Sequence, residues 1–347
     1  MKTWIKIVLA IFVLVALFVL KTLFDAGSFK SINPHFDGQI TEIGGFLNAE
    51  DIAIDQNTGI ALISSGEFDD IPNAKRGDIW MIDLKTDSYK PINLTANLDQ
   101  ADFRPHGISL YQSPEGKKKL FVVNHRKSGN FIEIFEFTDS TLVYQKSISD
   151  PLIVSPNDVV GVGENSFYVT NDHNIPMSTK RMLSDYLQIG IGNVVYYDGQ
   201  KAALQDEGLK YANGINVSKD RKLVFVGLST GRSVVVYDKD ATGKLSKMDE
   251  LDLDTGVDNI DIDPDGNLWL GCHPQLLKFT AHAKNHEKLS PSQVLKVKYN
   301  GKGSFESTEV YLNNGKPLSA SSIGAVWKNK LLIGGVFDDK VLIGKMK

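Results

Sequence analysis

NDVVGVGENSFYVTNDH (157–173) consists of two runs with alternating apolar residues, joined by a short turn that contains Gly, Glu and Asn. Alternation at every second residue, interrupted by turn residues, predicts a β-hairpin. Such a hairpin recurs about every fifty residues, and periods of this length with several strands per unit are typical of β-propellers. The five further copies are EDIAIDQNTGIALISSG (50–66), HGISLYQSPEGKKKLFVVNH (106–125), NGINVSKDRKLVFVGLS (213–229), DNIDIDPDGNLWLGCH (258–273) and SSIGAVWKNKLLIGGV (321–336).

Further strands lie between the copies and predict about four strands per unit. They are DIWMIDL (78–84), NFIEIFEFTD (130–139), NVVYYDG (193–199), SVVVYD (233–238) and QVLKVKYN (293–300). We therefore predict an all-β fold, a six-bladed β-propeller with a central tunnel. Only VLIGKMK (341–347) follows the last copy. Because a propeller avoids open sheet edges, we expect the early strand GQITEIGG (38–45) to complete that blade and close the ring.

Each copy begins with a polar residue, and the types of these residues indicate the chemistry of the site. The innermost strand of every blade lines the tunnel, so the residues that begin these strands should converge at one mouth. Carboxylate and amide oxygens are the ligands that Ca²⁺ accepts, whereas zinc prefers His or Cys. The alternative, that these residues only form turns, predicts Gly, Ser and Pro among them. The heads are Glu50, Asp51, His106, Asn157, Asp158, Asn213, Asp258 and Asn259, with Ser322 in the sixth copy.

Composition excludes several classes of protein. The formal net charge is −4 and no Lys/Arg cluster is present, which argues against nucleic-acid binding. The single Cys272 excludes an intramolecular disulfide and a Cys-cluster zinc site, and we interpret it as a buried apolar residue. DIDPDG (261–266) begins like an EF-hand loop, but Cys272 occupies the position of the required Glu. No G-x-S-x-G motif of a serine hydrolase occurs.

The first thirty residues form a separate unit. IVLAIFVLVALFVL (7–20) is uninterrupted apolar sequence, preceded by Lys2 and Lys6 and followed by Lys21. Because no clean cleavage site follows, we interpret residues 1–30 as an uncleaved signal-anchor, with a cleaved signal peptide as the alternative. The positive N-terminal side favours the cytosol, which places the propeller domain, residues 31–347, outside the cytoplasm or, after cleavage, in a secreted protein.

A second helical pattern occurs in PMSTKRMLSDYLQIG (176–190), where apolar residues recur at helical spacing. This stretch directly follows TNDH (170–173) at the expected tunnel mouth. We predict a short lid helix that walls a substrate pocket or rests on a membrane surface.

Two histidines belong to the same hairpin. His106 heads the second copy and His125 ends its partner strand, so their imidazoles are expected to lie side by side. Such a pair can act as a general base, one ring abstracting a proton and the other orienting it. His173 and His273 end corresponding strands of other copies and either line the pocket or pack against it.

Together these phrases closely resemble the serum paraoxonase/arylesterase family. The resemblance runs in order from about residue 38 onward and rests on specific motifs, including FRPHGISLY (103–111), YANGINVS (211–218) and VDNIDIDPDGNLWLGCHP (257–274). It implies a six-bladed propeller with two calcium ions in the tunnel, one catalytic and one structural. The implied activity is hydrolysis of lactones, with promiscuous cleavage of aryl esters and phosphotriesters.

The resemblance also implies roles for individual residues. His106 and His125 match a dyad that activates water, and Asp258 is an alternative base or nucleophile. Asp51, Asp158 and the carbonyl of Ile108 match ligands of the structural calcium. The ligands of the catalytic calcium are matched by Glu50, Asn157, Asn213, Asp258 and Asn259.

Two departures from the family pattern bear on these expectations. The family's disulfide between the two ends cannot form here, so strand pairing alone would close the ring. The segment EFDDIPNAKRGD (67–78) is more acidic than expected for a wall of the active site. Rival interpretations are a sugar lactonase of the gluconolactonase type, a strictosidine-synthase-like propeller and a calcium-binding propeller without catalysis.

Overall fold

The computed structural model describes residues 2–67, 75–138 and 140–347. Within these residues the chain forms twenty-five strands and three helices. The helices are α1 (Thr3–Asp25), α2 (Thr179–Tyr186) and α3 (Leu276–Lys284). The acidic segment 67–78 falls largely on residues 68–74, which lie outside the described residues, as does Asp139 at the end of the predicted strand 130–139.

Six groups of four antiparallel strands make up the body of the described structure. Two strands precede the repeats, β1 (His35–Phe36) and β2 (Gly38–Gly44). The first group is β3 (Ala49–Asp55), β4 (Ile60–Ser65), β5 (Asp78–Asp83) and β6 (Ile92–Asn93). The second is β7 (Pro105–Gln112), β8 (Lys118–Arg126), β9 (Gly129–Phe137) and β10 (Leu142–Ile148). The third is β11 (Pro156–Gly161), β12 (Phe167–Asn171), β13 (Gly192–Tyr197) and β14 (Ala202–Leu209).

The remaining three groups repeat this order. The fourth is β15 (Ala212–Val217), β16 (Leu223–Leu228), β17 (Ser233–Lys239) and β18 (Leu245–Asp252). The fifth is β19 (Gly256–Ile262), β20 (Leu268–His273), β21 (Gln293–Tyr299) and β22 (Phe305–Leu312), with β1 added at its outer edge. The sixth is β23 (Ser321–Trp327), β24 (Lys330–Gly335), β25 (Lys340–Met346) and β2.

The innermost strands form a closed ring. Strands β3, β7, β11, β15, β19 and β23 contact one another in this order, and β23 contacts β3 again. The predicted all-β propeller fold and its apolar N-terminal helix are thereby confirmed. Each hairpin predicted from the repeats is present as the two inner strands of one group. Their polar first residues therefore face a common axis.

The early strand closes the ring as predicted. Strand β2 pairs antiparallel with β25 from Gly38 opposite Met346 to Gly44 opposite Lys340. Lys340 reinforces the pairing through an ion pair of 2.9 Å with Glu42. No disulfide takes part, since the lone Cys272 is buried and free.

Helix α2 occupies the predicted lid position but is shorter than the pattern 176–190. It begins after Ser178, whose hydroxyl accepts a hydrogen bond from the Arg181 backbone N–H, and ends at Tyr186. Such side-chain capping defines helix starts because the first backbone N–H groups have no partner within the helix.

Helix α3 was missed by the sequence patterns, which gave helical potential only to the N-terminus and to 176–190. Its sequence LLKFTAHAK has no capping side chain and no long apolar period. Tertiary contacts set its start, because the Leu276 backbone N–H donates to the Ala26 carbonyl at 2.9 Å. Packing against the end of α1 thus overrides a weak local preference.

Candidate metal centre and active site

One cavity of about 700 Å³ opens between the ring, α2 and α3. Both histidines of the predicted dyad line it, together with a carboxylate or amide residue from four of the six inner strands. Its apolar wall comes from the two helices and from the segment after β24. The polar residues predicted from the repeats that line the cavity are Glu50, His106, His125, Asn157, Asn213 and Asp258.

Four buried oxygen atoms at this ring have no hydrogen-bond partner among the described residues. Hydrogen bonds hold three of the side chains in place: Asn259 Nδ2 donates to Glu50 Oε1 at 2.7 Å, and Asn213 Nδ2 donates to Ser229 Oγ at 2.9 Å. These bonds use the amide donors and leave the oxygens free. Buried acceptors are almost always satisfied, so an unmatched set is unusual. The four atoms are Glu50 Oε2, Asn157 Oδ1, Asn213 Oδ1 and Asn259 Oδ1.

Asp51 and Asp158 lie beside a second cavity of about 560 Å³, away from the histidines. Each carboxylate ties its own strand to the next group: the Ile108 N–H donates to Asp51 Oδ2 at 2.7 Å, and the Ile215 N–H donates to Asp158 Oδ2 at 2.7 Å. Ile108 lines the same cavity. The residues assigned by resemblance to two calcium ions therefore divide between two cavities, except Asn259, which lines neither and contacts Glu50.

Burial and neighbouring negative charges disfavour the ionised form of these carboxyl groups. Burial raises the pKa of Asp51 well above its usual range, and the negative charge of Glu50 adds to the effect. Burial and the charge of Asp51 raise the pKa of Asp158 in the same way. Burial also raises the pKa of Asp258. A bound cation is the kind of partner that removes such a penalty.

The donor set fits a hard cation. Within the described residues, no group of three or more His, Cys, Asp or Glu side chains is arranged to hold a metal ion. Free amide oxygens accompany the carboxylates here, and Ca²⁺ takes such mixed sets of six to eight oxygens with tolerant geometry.

The two histidines are in direct contact. His106 Nδ1 and His125 Nε2 are 2.9 Å apart, and His125 Nδ1 is 2.9 Å from Asn130 Oδ1. Asn130 Nδ2 donates to the Val154 carbonyl at 2.7 Å, so its oxygen faces His125 and accepts the Nδ1 proton. With both rings neutral, His125 Nε2 then accepts from His106 Nδ1–H. His106 Nε2 lies 3.5 Å from Glu50 Oε1.

The surroundings shift the pKa values of the two rings in opposite directions. Burial lowers the pKa of His106, but the charge of Glu50 and the contact with it outweigh burial, so the net pKa is raised. Burial and the neighbouring His106 lower the pKa of His125 to about 4. His125 therefore stays neutral near pH 7.

The other two histidines are held by carboxylates. His273 Nε2 lies 2.8 Å from Asp258 Oδ2, and His273 lines the large cavity. His173 Nε2 lies 2.8 Å from Asp185 Oδ1 of α2. Arg181 of α2 in turn donates to Asp172 Oδ2 at 2.8 Å. Two ion pairs thus fasten the lid helix to the mouth of the ring.

Sequence analysis missed several residues of this site. Asn130 orients His125, and the β8–β9 register, which places His125 opposite Asn130, is the signal that identifies it once the hairpin is known. Arg104 and Arg181 also line the cavity. Arg104 stands two residues before His106 and interrupts no pattern, so nothing in the sequence marked it.

The family model named Arylesterase matches residues 29–344. Serum paraoxonase/arylesterase 2 of Rattus norvegicus is 38% identical over 298 residues, which cover 83% of this chain and 83% of that protein. The chain belongs to the arylesterase family. Serum paraoxonase/arylesterase 1 of Homo sapiens is 36% identical over 300 residues, with the same 83% coverage of both chains. Membership of this family supports an ester hydrolase.

Similarity to solved structures supports the fold alone. The Cps50 (Swd1) β-propeller domain of Myceliophteria thermophila superposes with a TM-score of 0.52 at 9% identity, covering 89% of this chain and all of that domain. This likeness agrees with the ring of antiparallel groups described above.

Proposed function

We propose that this arylesterase-family protein is a calcium-dependent hydrolase of lactones and aryl esters, with Ca²⁺ bound at two positions in the tunnel. The observation that carries the proposal is the set of four unpartnered buried oxygens beside the His106–His125 pair. Glu50, Asn157, Asn213, Asp258 and Asn259 would hold the catalytic ion. Asp51, Asp158 and the Ile108 carbonyl would hold the structural one.

Different groups serve different steps of the proposed hydrolysis. When bound, Ca²⁺ would polarise the substrate carbonyl and stabilise the negative charge that develops on its oxygen. In the proposed mechanism His106 accepts a proton from the attacking water. His125 fixes the tautomer of His106 and is itself fixed by Asn130. Asp258 is the alternative base, and its contact with His273 restricts that role.

The lining favours apolar lactones over sugars. Met177, Met182 and Leu277 contribute to the wall formed by the lid region and α3, and Phe279 and Phe337 extend it. A sugar site needs a dense set of hydrogen-bond partners, whereas this wall offers mainly apolar surface. A comparison of aliphatic lactones with sugar lactones separates this proposal from a gluconolactonase-type activity.

Calcium removal tests the proposal directly. After complete chelation we expect hydrolysis of aliphatic lactones and phenyl acetate to fall to background and to return when Ca²⁺ is added. His106→Gln should lower kcat for both substrates by about 100-fold or more, the usual contribution of a general base. Activity that survives calcium removal would contradict the proposal. Unchanged rates in His106→Gln would remove the histidine pair from the mechanism.

The proposal includes an uncleaved N-terminal anchor. Helix α1 is long and apolar enough to cross a membrane, and most of its apolar side chains are exposed. Its end is fixed to the propeller: Asp25 lies 3.5 Å from Arg232, and Gln275 Nε2 donates to the Lys30 carbonyl at 2.8 Å.

Thr22 and Ala26 also line the large cavity, so cleavage after Ala26 would remove part of its wall. The mass of the protein extracted from membranes checks this point. We expect the intact N-terminus and solubilisation only by detergent. A mature N-terminus near residue 28 would establish the secreted alternative.

A further inference from the structure

Three arginines line the large cavity, and they differ in how far their guanidinium groups are engaged. Arg181 uses both terminal nitrogens, Nη1 on Ser155 Oγ and Nη2 on Asp172 Oδ2, each at 2.8 Å. Arg126 is held by Glu133 and stacks over the Phe131 ring, with Cζ 4.4 Å from the ring centroid. Both side chains are thus occupied by contacts within the protein.

Arg104 is different. It is only 5% exposed, yet among the described residues its sole side-chain contact is Nε to Asp102 Oδ1 at 3.3 Å. Neither terminal nitrogen has a hydrogen-bond partner there. A guanidinium carries five N–H donors in a rigid fork, and leaving some of them without partners is costly when the side chain is buried. Arg104 itself lines the cavity.

The backbone fixes Arg104 next to the histidine pair. Its N–H donates to Asn124 Oδ1 at 2.8 Å, and its carbonyl accepts from the His125 N–H at 3.1 Å. Asn124 is fully buried and donates in turn to Glu133 at 2.8 Å. The side chain therefore starts from a rigid point beside the residues proposed to activate water.

The partly unpaired guanidinium of Arg104 favours an anionic partner. Among the four cationic side chains of the described lining, Arg126 and Arg181 are engaged by Glu133 and Asp172, whereas the terminal nitrogens of Arg104 have no hydrogen-bond partner among the described residues. A planar fork matches the two oxygens of a carboxylate and binds them in a bidentate way. The cationic residues are Arg104, Arg126, Arg181 and Lys284.

We propose that Arg104 forms a subsite for a carboxylate carried by the substrate, so that the preferred substrates are apolar lactones or esters with a free acid group. This inference rests on the proposed function and narrows its substrate class. The apolar wall formed by α2 and α3 would hold the hydrocarbon part of the substrate, while Arg104 would hold its acid group. Arg104 is thus a specificity-determining residue and takes no part in the proton transfer.

Binding of unreactive analogues tests the subsite apart from catalysis. The probes are γ-lactams with side chains of two to six methylenes that end in a carboxylate, each paired with its carboxamide. For the wild-type protein, titration calorimetry should show about tenfold or stronger preference for the carboxylate at one chain length, the usual gain from a charged hydrogen bond. A fixed subsite requires such a length optimum, whereas a diffuse positive field does not.

Variants of Arg104 test whether the preference for the carboxylate comes from its guanidinium group. Arg104→Met should bring the carboxylate-to-carboxamide ratio close to one, and Arg104→Lys should retain only part of it, because an ammonium cannot bind both oxygens in the same way. The control Arg221→Met removes the same charge from a side chain outside the cavity, where Arg221 lies over Tyr111, and should keep the wild-type ratio. Thermal melts check that each variant is folded.

Equal binding of carboxylate and carboxamide across the whole series would overturn the inference. So would a preference that survives in both Arg104 variants. The corresponding lactones, assayed in parallel, report on the proposed function: if none is hydrolysed while the lactams still show the Arg104-dependent preference, the hydrolase proposal fails and the subsite stands.

Discussion

The proton position in the histidine pair depends on a single amide. Asn130 turns its oxygen to His125 because its nitrogen is committed to the Val154 carbonyl. That choice makes His125 Nδ1 a donor and His125 Nε2 an acceptor, and His106 follows. A neutral pair that lacked this amide would populate two tautomers, and only one of them leaves the lone pair on His106 Nε2.

Asn130→Leu should therefore lower kcat by about tenfold and change KM little, because the substrate does not contact this residue in the proposed mechanism. Asn130→Asp keeps the acceptor and adds a negative charge, which should raise the pKa of His125 from its low value of about 4. The pH–rate profile of the Asp variant should then differ from that of the wild type. Identical profiles and rates in all three proteins would show that Asn130 does not position the pair.

At the scale of elements, ion pairs hold the lid helix α2 against the ring of inner strands. His173 faces Asp172 through Nδ1 at 3.1 Å and Asp185 through Nε2, while Arg181 and Tyr211 lie close by. Burial lowers the pKa of His173, but the two carboxylates outweigh it and raise the net value above 6.5. His173 thus bridges the ring and α2, and both contacts favour its protonated form.

This arrangement predicts a lid that loosens at alkaline pH. Because the folded-state pKa of His173 is raised, its stabilising contribution is complete below pH 6.5 and is lost as the pH rises through the raised value. Hydrogen exchange of Thr179–Tyr186, corrected for intrinsic rates, should therefore accelerate over that range. The Arg181–Asp172 ion pair should preserve partial docking.

Two variants distinguish the contribution of His173 to docking of α2 from that of the Arg181–Asp172 ion pair. Asp185→Asn should flatten the pH dependence of exchange, whereas Arg181→Met should accelerate exchange at every pH. Exchange of α2 that is independent of pH in the wild-type protein would exclude His173 as the source of docking.

Sequence patterns predicted those elements that form for local or periodic reasons. The hairpins, the closing strand and the polar heads of the inner strands follow from alternation and repetition, which a single chain displays. Helix α3 depends on a hydrogen bond to Ala26, far away in the sequence. Asn130 and Arg104 acquire their roles from strand register and from burial, which composition and spacing do not encode.

At the scale of the whole molecule, the joint between β2 and β25 completes the sixth group, which also pairs with the first group where Gly335 lies opposite Ala49. Ile343 of β25 is 2% exposed and belongs to the core between the sixth and first groups, whereas Ile40 of β2, close by in the same pair, is 38% exposed. The two residues are of one type, on adjacent strands, and differ in burial.

Ile343→Ala should lower the free energy of unfolding by about 3 kcal/mol, the usual cost of a cavity at a buried isoleucine. Ile40→Ala is the matched control and should change it by less than about 0.5 kcal/mol. Denaturant titrations followed by tryptophan fluorescence measure both values. Equal effects of the two substitutions would mean that the joint is not a packed part of the core.

The pairing of β2 with β25 also determines when the ring can close during synthesis. Strand β2 emerges from the ribosome before the six inner hairpins, whereas its partner Lys340–Met346 emerges after all of them. Until then β2 and the outer edge of β24 present unpaired backbone groups, and exposed strand edges recruit other chains. Nascent chains stalled shortly before Lys340 should therefore depend on chaperones, and loss of only the last strand should be more damaging than its seven residues suggest.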